Sequence, residues 1–307
     1  MSSTVCAAMR KRTDRRVLQL LTRGGRRAAA TEDHLFLTPR GMRALGGLRP
    51  GDRVAVSGFE GVPFEPPLGR VLVDEAALEA EWRRLCPGAA PTSWHQIRAH
   101  LRALDLLPLK DGHAAMPALL KLMGIVWGDG ALYLVRSRRV ARVTITGQRE
   151  DLESIRRDLS PWFRASRVYS RVRMHHVPTR PSARPFEARE TWIRFNCSAL
   201  SLLLSVLGVP VGPKASSDWR LPEWLRTAPK WHKRLFLAAF FGAELTSPAT
   251  MTGHAKTFPS PSLTVVKRAG HVESGLAFLS DVASLLEDLG VRSTIISPSI
   301  EVRRDVG

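Results

Sequence analysis

Leu122-Met-Gly-Ile-Val-Trp-Gly-Asp-Gly130 aligns without gaps on Leu237-Ala-Ala-Phe-Phe-Gly-Ala-Glu-Leu245, and the reading of this pair decides the fold. Each stretch closes an apolar run of helical period, Ala118–Trp127 and Lys230–Ala243, with an acid: Asp129 in the first and Glu244 in the second. Gly124 and Gly128 stand at i,i+4, and Ala239 and Ala243 match them. Small residues at that spacing leave a shallow face on which a second helix backbone can come close. Two such helices side by side bring both carboxylates to one end. That end carries partial negative charge, so an acid there is disfavoured by about 0.3–1 kcal/mol, and neighbouring acids repel unless a cation lies between them. Asp129-Gly130 alone reads as a helix stop; its recurrence as Glu244 favours a shared metal site. Hard oxygen ligands suit Mg²⁺, which takes one or two carboxylates plus phosphate oxygens and waters and can assist phosphodiester hydrolysis.

Outward from the first helix, strands are expected near Leu132–Arg136 and Val140–Thr146, a helix over Arg149–Trp162, strands at Arg167–Met174 and Thr191–Asn196, and a helix at Ala199–Leu207. The order is αββαββα. It begins again after Pro222–Thr227: a helix from Lys230, a strand at Ser262–Lys267, a helix at Val272–Leu289 with Leu276, Leu279, Leu286 and Leu289 on one face, and a strand at Arg292–Ser297. This is an internal repeat whose second copy lacks its last strand and closing helix.

Forty-six Lys+Arg against twenty-eight Asp+Glu give a net charge of +18, which favours a polyanionic partner through counterion release. Residues 131–214 hold sixteen Lys+Arg and six Asp+Glu. On the expected strands Arg167, Tyr169, Arg171 and Arg173 share one face, with Val168, Val172 and Met174 on the other. Arg142 and Arg194 with Asn196 alternate likewise with apolar residues, and Arg136 and Arg138 extend the basic set. Arg pairs with guanine and Asn with adenine in a major groove; an ordinary solvated sheet face is the competing reading.

The amino-terminal sixty residues read as short strands, Val17–Leu21, Arg27–Thr31, Leu35–Thr38 and Arg53–Ser57, separated by Gly- and Pro-rich turns. Phe59–Gly69 and Lys110–Pro117 look like linkers. Between them lie helices at Asp74–Leu85 and at Ser93–Leu106, the second capped by Thr92 or Ser93. Cys6, Cys86 and Cys197 cannot form a disulfide framework, and no apolar run is long enough to cross a membrane. A cytoplasmic setting follows, nucleoid-associated when the chain is bound to DNA.

The two acid-ending helices resemble the paired LAGLIDADG motifs of homing endonucleases, the dodecapeptide (DOD) type carried inside inteins. Arg27–Gly41 with Leu48–Val56 resembles the intein (Hint) block containing Thr-x-x-His, and Leu207–Lys214 with Leu221–Trp224 resembles the bridge between endonuclease halves. The resemblance implies an α+β fold: a partial all-β Hint-like domain over 1–60, a linker and helical segment over 61–116, and a pseudo-two-fold αββαββα endonuclease domain over 117–307. The repeats are 117–214 and an incomplete 228–307. It implies a site-specific double-strand DNA endonuclease acting as a monomer, with Asp129 and Glu244 as Mg²⁺ ligands and Lys214 tuning the active-site water. Thr31 and His34 would be remnants of the splicing block, and a host extein protein the partner in the original fusion. The alternatives are an inactive DNA- or RNA-binding intein remnant, and part of a protein-splicing element whose flanking ends are absent. Against the family pattern, Gly242 replaces an acid, Leu245 replaces a glycine, and the chain ends at Asp305-Val-Gly307 without His-Asn.

Overall fold

The computed structural model describes residues 14–22, 27–55, 62, 65–88, 90–135, 140–175, 186–246 and 261–300. The chain divides into two units, Met1–Gly61 with Gly290–Arg292, and Val62–Leu289 with Ser293–Gly307.

The smaller unit holds two antiparallel hairpins. Strand β1 (Val17–Leu21) pairs with β2 (Arg27–Thr31), and β3 (Leu35–Thr38) with β4 (Gly41–Ala44). Strand β4 replaces the expected strand at Arg53–Ser57. Pro39 and Arg40 form a tight turn, the Thr38 hydroxyl donates to the Gly41 carbonyl at 2.7 Å, and Gly41 takes φ 94°, which suits a residue without a Cβ. Residues 53–55 reach the hairpin through one bond, Ala55 N–H to Leu37 C=O at 2.7 Å; residues 56–57 lie outside the described set.

In the larger unit, β5 (Val71–Val73) leads into α1 (Glu75–Leu85), whose first turn is capped by the Asp74 carboxylate accepting from Ala77 N–H at 2.7 Å. Helix α2 (Pro91–Ala103) starts earlier than expected: Pro91 supplies the first-turn φ, and no side chain caps it, correcting the Thr92/Ser93 cap. The stretch read as a linker at Lys110–Pro117 is instead packed. Strand β6 (Leu109–Lys110) pairs with β5, and Asp111, 1% exposed, accepts from Leu68 N–H at 2.9 Å and Gly69 N–H at 3.0 Å.

Helix α3 (Met116–Trp127) buries nine of its residues, as a helix covered on most sides must. Strands β7 (Gly130–Val135) and β8 (Val140–Thr146), helix α4 (Arg149–Leu159), strands β9 (Tyr169–His175) and β10 (Phe186–Phe195), and helix α5 (Ser198–Val206) follow. The four strands form one antiparallel sheet in the order β7-β8-β10-β9. Val143, Ile145, Ile193 and Phe195 point into the core. On β9, however, Val172 and Met174 are 57% and 51% exposed, which corrects the expectation that they face inward. Their register partners Arg189 and Glu187 lie near the Phe186 end of β10, and Phe186 is itself half exposed, so this end of the β9–β10 ribbon has no core beneath it.

A short helix α6 (Glu223–Arg226), helix α7 (Lys230–Glu244) and helix α8 (Val272–Asp288) complete the unit. The face expected on α8 is rotated. Gly275, Phe278, Asp281, Val282 and Leu285 are its buried residues, while Leu276, Leu279, Leu286 and Leu289 flank them. Asp281 can face inward because Arg220 binds it in fork geometry at 2.7 and 3.1 Å and Leu221 N–H donates to it at 3.2 Å. The strands expected at Ser262–Lys267 and Arg292–Ser297 are absent as strands. Residues 262–267 alternate in burial and touch Thr246 at one end, yet pair with no neighbouring strand among the described residues. Residues 292–297 are exposed throughout. Among the described residues no helix is long and apolar enough to cross a membrane.

Candidate functional site

Helices α3 and α7 meet along their small residues. A Cβ placed on Gly124 would fall 2.9 Å from both Ala239 Cβ and Phe240 N, and one on Gly128 2.7 Å from Ala243 Cβ. Nothing larger than hydrogen fits at these two α3 positions. Below the seam, Trp127 stacks on Phe278 with centroids 5.0 Å apart and takes the edge of Trp219 at 4.8 Å, so the α3 terminus rests on an aromatic floor.

At the end of the seam the two acids come together. Glu244 closes α7, and its Oε1 lies 3.3 Å from where a Gly128 Cβ would be; Asp129 follows directly. The surrounding protein raises the Asp129 carboxyl above the ordinary carboxylate range by desolvation, with Lys214 opposing. Glu244 is raised by desolvation and then by the charge of Asp129, again opposed by Lys214. Lys214 sits in a 3₁₀ turn (Lys214–Ser216), and its Nζ donates to the carbonyls of Trp127 at 2.7 Å, Val126 at 3.2 Å and Gly128. It therefore offsets the negative end of α3. Desolvation pulls its own pKa down, and Glu244 and Asp129 push it back up.

Lys267 was not singled out from the sequence. Its Nζ donates to Lys214 C=O at 2.9 Å and Ser217 C=O at 2.6 Å and lies 3.8 Å from the Trp219 ring centre, so it braces the loop that delivers Lys214. Only its place at the end of the 262–267 alternation could have signalled it. A cleft of about 680 Å³ opens beside Asp129 between α3, α4 and α7. Asp151 and Asp158 line it, with Lys121 bound to Asp158 at 3.0 Å, so its acids disfavour a phosphate.

The solvent face of the sheet carries the remaining candidates. Trp192, opposite Thr146 on one side and Tyr169 on the other, is its centre. Tyr169 stacks on it at 5.9 Å, Arg171 and Arg194 lie over it at 5.3 and 5.6 Å, and Arg167 covers Tyr169 at 5.3 Å. Arg142 Nε donates to Asn196 Oδ1 at 2.9 Å, tying together two expected base-reading residues. Arg171 and Arg173 share Glu190, at 2.7 and 3.9 Å, so two of the expected phosphate contacts are partly neutralised in place. Alternation places Trp192 on the face of Arg194 and Asn196, opposite the buried Ile193 and Phe195, but charge is what marks that face in the sequence and an uncharged ring adds nothing to it. Arg136 and Arg138 lie outside the described residues.

In the smaller unit Thr31 ends β2 and His34 follows two turn residues; His34 N–H donates to Thr31 C=O at 3.0 Å, and its ring meets Phe36 edge-on at 5.4 Å. The Asp33 carboxyl is held below its usual range, first by the Thr31 hydroxyl. Among the described residues no group of three or more His, Cys, Asp or Glu side chains could hold a metal ion. Asp129 and Glu244 offer two oxygen donor groups, the number Mg²⁺ needs when phosphate and water complete its shell.

No family model matches the chain. It is 32% identical over 92% of its length to a tRNA-splicing ligase RtcB of Pyrococcus furiosus, and 30% identical over 92% to one of Methanopyrus kandleri. It is also 27% identical over 95% to the RNA polymerase subunit Rpo1N of Methanocaldococcus jannaschii. The chain spans 27% of the length of each of the two ligases and 21% of the polymerase subunit. These relatives are named for RNA ligation and transcription. They overturn the expectation of an intein-borne LAGLIDADG homing endonuclease, and with it DNA hydrolysis, the inactive intein remnant and the protein-splicing role of Thr31 and His34.

Proposed function

We propose that the chain is a nucleic-acid-binding module in which Asp129 and Glu244 hold a divalent cation, Mg²⁺ by choice of ligands, against a backbone phosphate. The observation that carries this reading is the meeting of two carboxylates at the touching ends of α3 and α7, both with pKa raised and with Lys214 beside them. Two acids placed where the helix ends and each other's charge disfavour them are best explained by a cation that offsets both. The bound cation would supply charge neutralisation at a phosphate oxygen. The protein's part is to fix the carboxylates on a seam that cannot shift and to keep Lys214 charged at the α3 carbonyls. Arg142, Arg167, Arg194 and the Trp192 platform would carry the strand itself. The cytoplasm is the setting in which such a module meets its nucleic acid.

The experiment is Mg²⁺-dependent binding to duplex RNA and duplex DNA by fluorescence anisotropy. Affinity should rise several-fold with millimolar Mg²⁺ for the native chain, and Asp129→Asn with Glu244→Gln should remove that rise while sparing metal-free binding. An equal response in both proteins overturns the metal site; no binding at low salt overturns the module.

A narrower reading, RNA joining, is favoured by the ligase names of the two relatives at 32% and 30% identity. Ligase activity belongs to those whole proteins, of which this chain spans about a quarter. Sealing of a singly cut tRNA by the chain alone would establish the narrower reading. Absence of joined product, with metal-dependent binding intact, leaves the module without it.

A further inference from the structure

Residues 262–267 run extended ahead of α8, with Leu263 and Val265 packed against the core and Thr264 and Val266 turned to solvent. The stretch is pinned at both ends. Ser262 C=O accepts from Thr246 N–H at 3.3 Å, and Arg268 N–H donates to Ala215 C=O at 2.8 Å. Between these pins, no backbone group of residues 263–267 has a hydrogen bond to another described residue. The side chains alternate as in a strand while the ladder stays open, and such an edge is a template for another strand. The first half of the unit shows what belongs beside it. Strand β8, which likewise lies between its leading helix α3 and the next helix α4, pairs antiparallel with β10 through residues 143–146, and β10 separates it from β9. Among the described residues no strand takes that place beside residues 263–267.

The chain carries a second strand-former without a partner. Ser293-Thr-Ile-Ile-Ser297 is rich in β-branched residues, exposed throughout, and paired with no described strand. The three most exposed large apolar side chains among the described residues lie on or beside these two stretches: Val266 at 63%, Ile296 at 81% and Ile300 at 93%. Within one copy the order strand, α8, strand sets the two stretches parallel, as β8 and β9 are set around α4, and β8 and β9 are not neighbours. An antiparallel partner therefore comes from another molecule. We propose that residues 293–297 of one copy add as an antiparallel strand to residues 263–267 of a second copy, and reciprocally, closing a two-fold dimer. The exchange fills the open ladder, sets residues 264–266 against residues 294–296, and covers Val266 and Ile296. It stands whether or not the Asp129–Glu244 seam binds metal.

The test is the mass of the whole chain by light scattering, with amide hydrogen exchange read at the same concentrations, in about 0.3 M salt to screen the net charge of +18. Mass should double from the 34.0 kDa of one chain as concentration rises, and exchange at residues 264–266 should slow several-fold with it. Successive amides of a strand point to opposite edges, so one of Thr294→Pro and Ile295→Pro removes a ladder donor. That variant should weaken dimerisation severalfold while keeping the melting temperature of the single chain, since both positions are exposed. A one-chain mass up to on the order of 100 µM overturns the dimer. A dimer that survives both prolines unchanged, or that forms with no slowing at residues 264–266, overturns the strand exchange.

Discussion

A Cβ on Gly128 would stand 2.7 Å from Ala243 Cβ, so at the turn that delivers the two acids α3 and α7 are separated by hydrogen atoms alone. The backbone positions from which Asp129 and Glu244 extend are thus set by the close approach of the two helices.

Gly124 and Gly242 should respond oppositely to the same change. A methyl on Gly124 meets the Phe236 carbonyl and Ala239 Cβ, neither of which can yield, so Gly124→Ala is expected to destabilise by about 1–3 kcal/mol through overpacking. Gly242 has nothing within 4 Å, so Gly242→Ala should stabilise by about 0.5–1 kcal/mol through helix propensity alone. Urea unfolding of the two variants checks both signs.

The acid pair gives a stability slope with pH. Asp129 and Glu244 have folded pKa values above their unfolded ones, so the folded state binds more protons in the interval between them. Stability contributed by these groups is therefore present at low pH and lost as pH rises from about 4 through the raised values. Asp129→Asn should flatten that loss and stabilise the metal-free chain at neutral pH, read as melting temperature against pH. Millimolar Mg²⁺ should do the same for the native chain and nothing for the variant.

Glu190 tempers the sheet's basic face, since Arg171 and Arg173 both turn to it. Glu190→Gln should tighten nucleic-acid binding at low salt and steepen the dependence of log affinity on log salt by up to about one unit. Arg142→Ala should flatten the same plot. Trp192→Ala should weaken single-stranded binding by about 1–3 kcal/mol with little change of slope, because it removes stacking rather than charge. Anisotropy titrations at several salt concentrations separate these outcomes.

His232 is fully buried on α7, and both ring nitrogens lack partners among the described residues. Burial lowers its pKa from 6.5 to about 4, with Asp111 opposing. Its folded pKa is depressed, so stability is lost as pH falls from 6.5 toward 4, by at most about 3.4 kcal/mol. This slope has the opposite sign to that of the acid pair, and His232→Phe should abolish it without touching the Mg²⁺ response.

Much of the arrangement around α3 and α7 could be read from residues, because its rule is local: a small residue every fourth position leaves only one way for two helices to approach. The faces of β8 and β10 were legible for the same reason, since alternation fixes which side Val143 and Ile193 take. Val172 and Met174 were misread because alternation assigns faces but does not reveal where the core ends. The α8 face was misread because counting leucines ignores Asp281, whose burial depends on Arg220 sixty-one residues away. Lys214 was noticed, yet its carbonyl contacts depend on a tertiary approach that no spacing encodes. Activity was the least legible part: a shared pattern of acids and arginines constrains the ligand's charge but not the reaction, and the names of the relatives corrected the reaction inferred from it.

The chain enters the larger unit under three fastenings. Asp111 holds the backbone at Leu68 and Gly69, Arg70 grips Thr227 at 2.9 Å, and Glu65 receives the Lys230 N–H at 2.8 Å and the Trp231 indole at 2.9 Å. A polypeptide beginning at Val62 keeps all of these, whereas one beginning at Arg70 leaves Asp111 as a buried carboxylate stripped of both its amide donors. Trimming of this protein therefore has a sharp threshold: eight residues separate a start that preserves the scaffold from one that unpicks the first turn of α7.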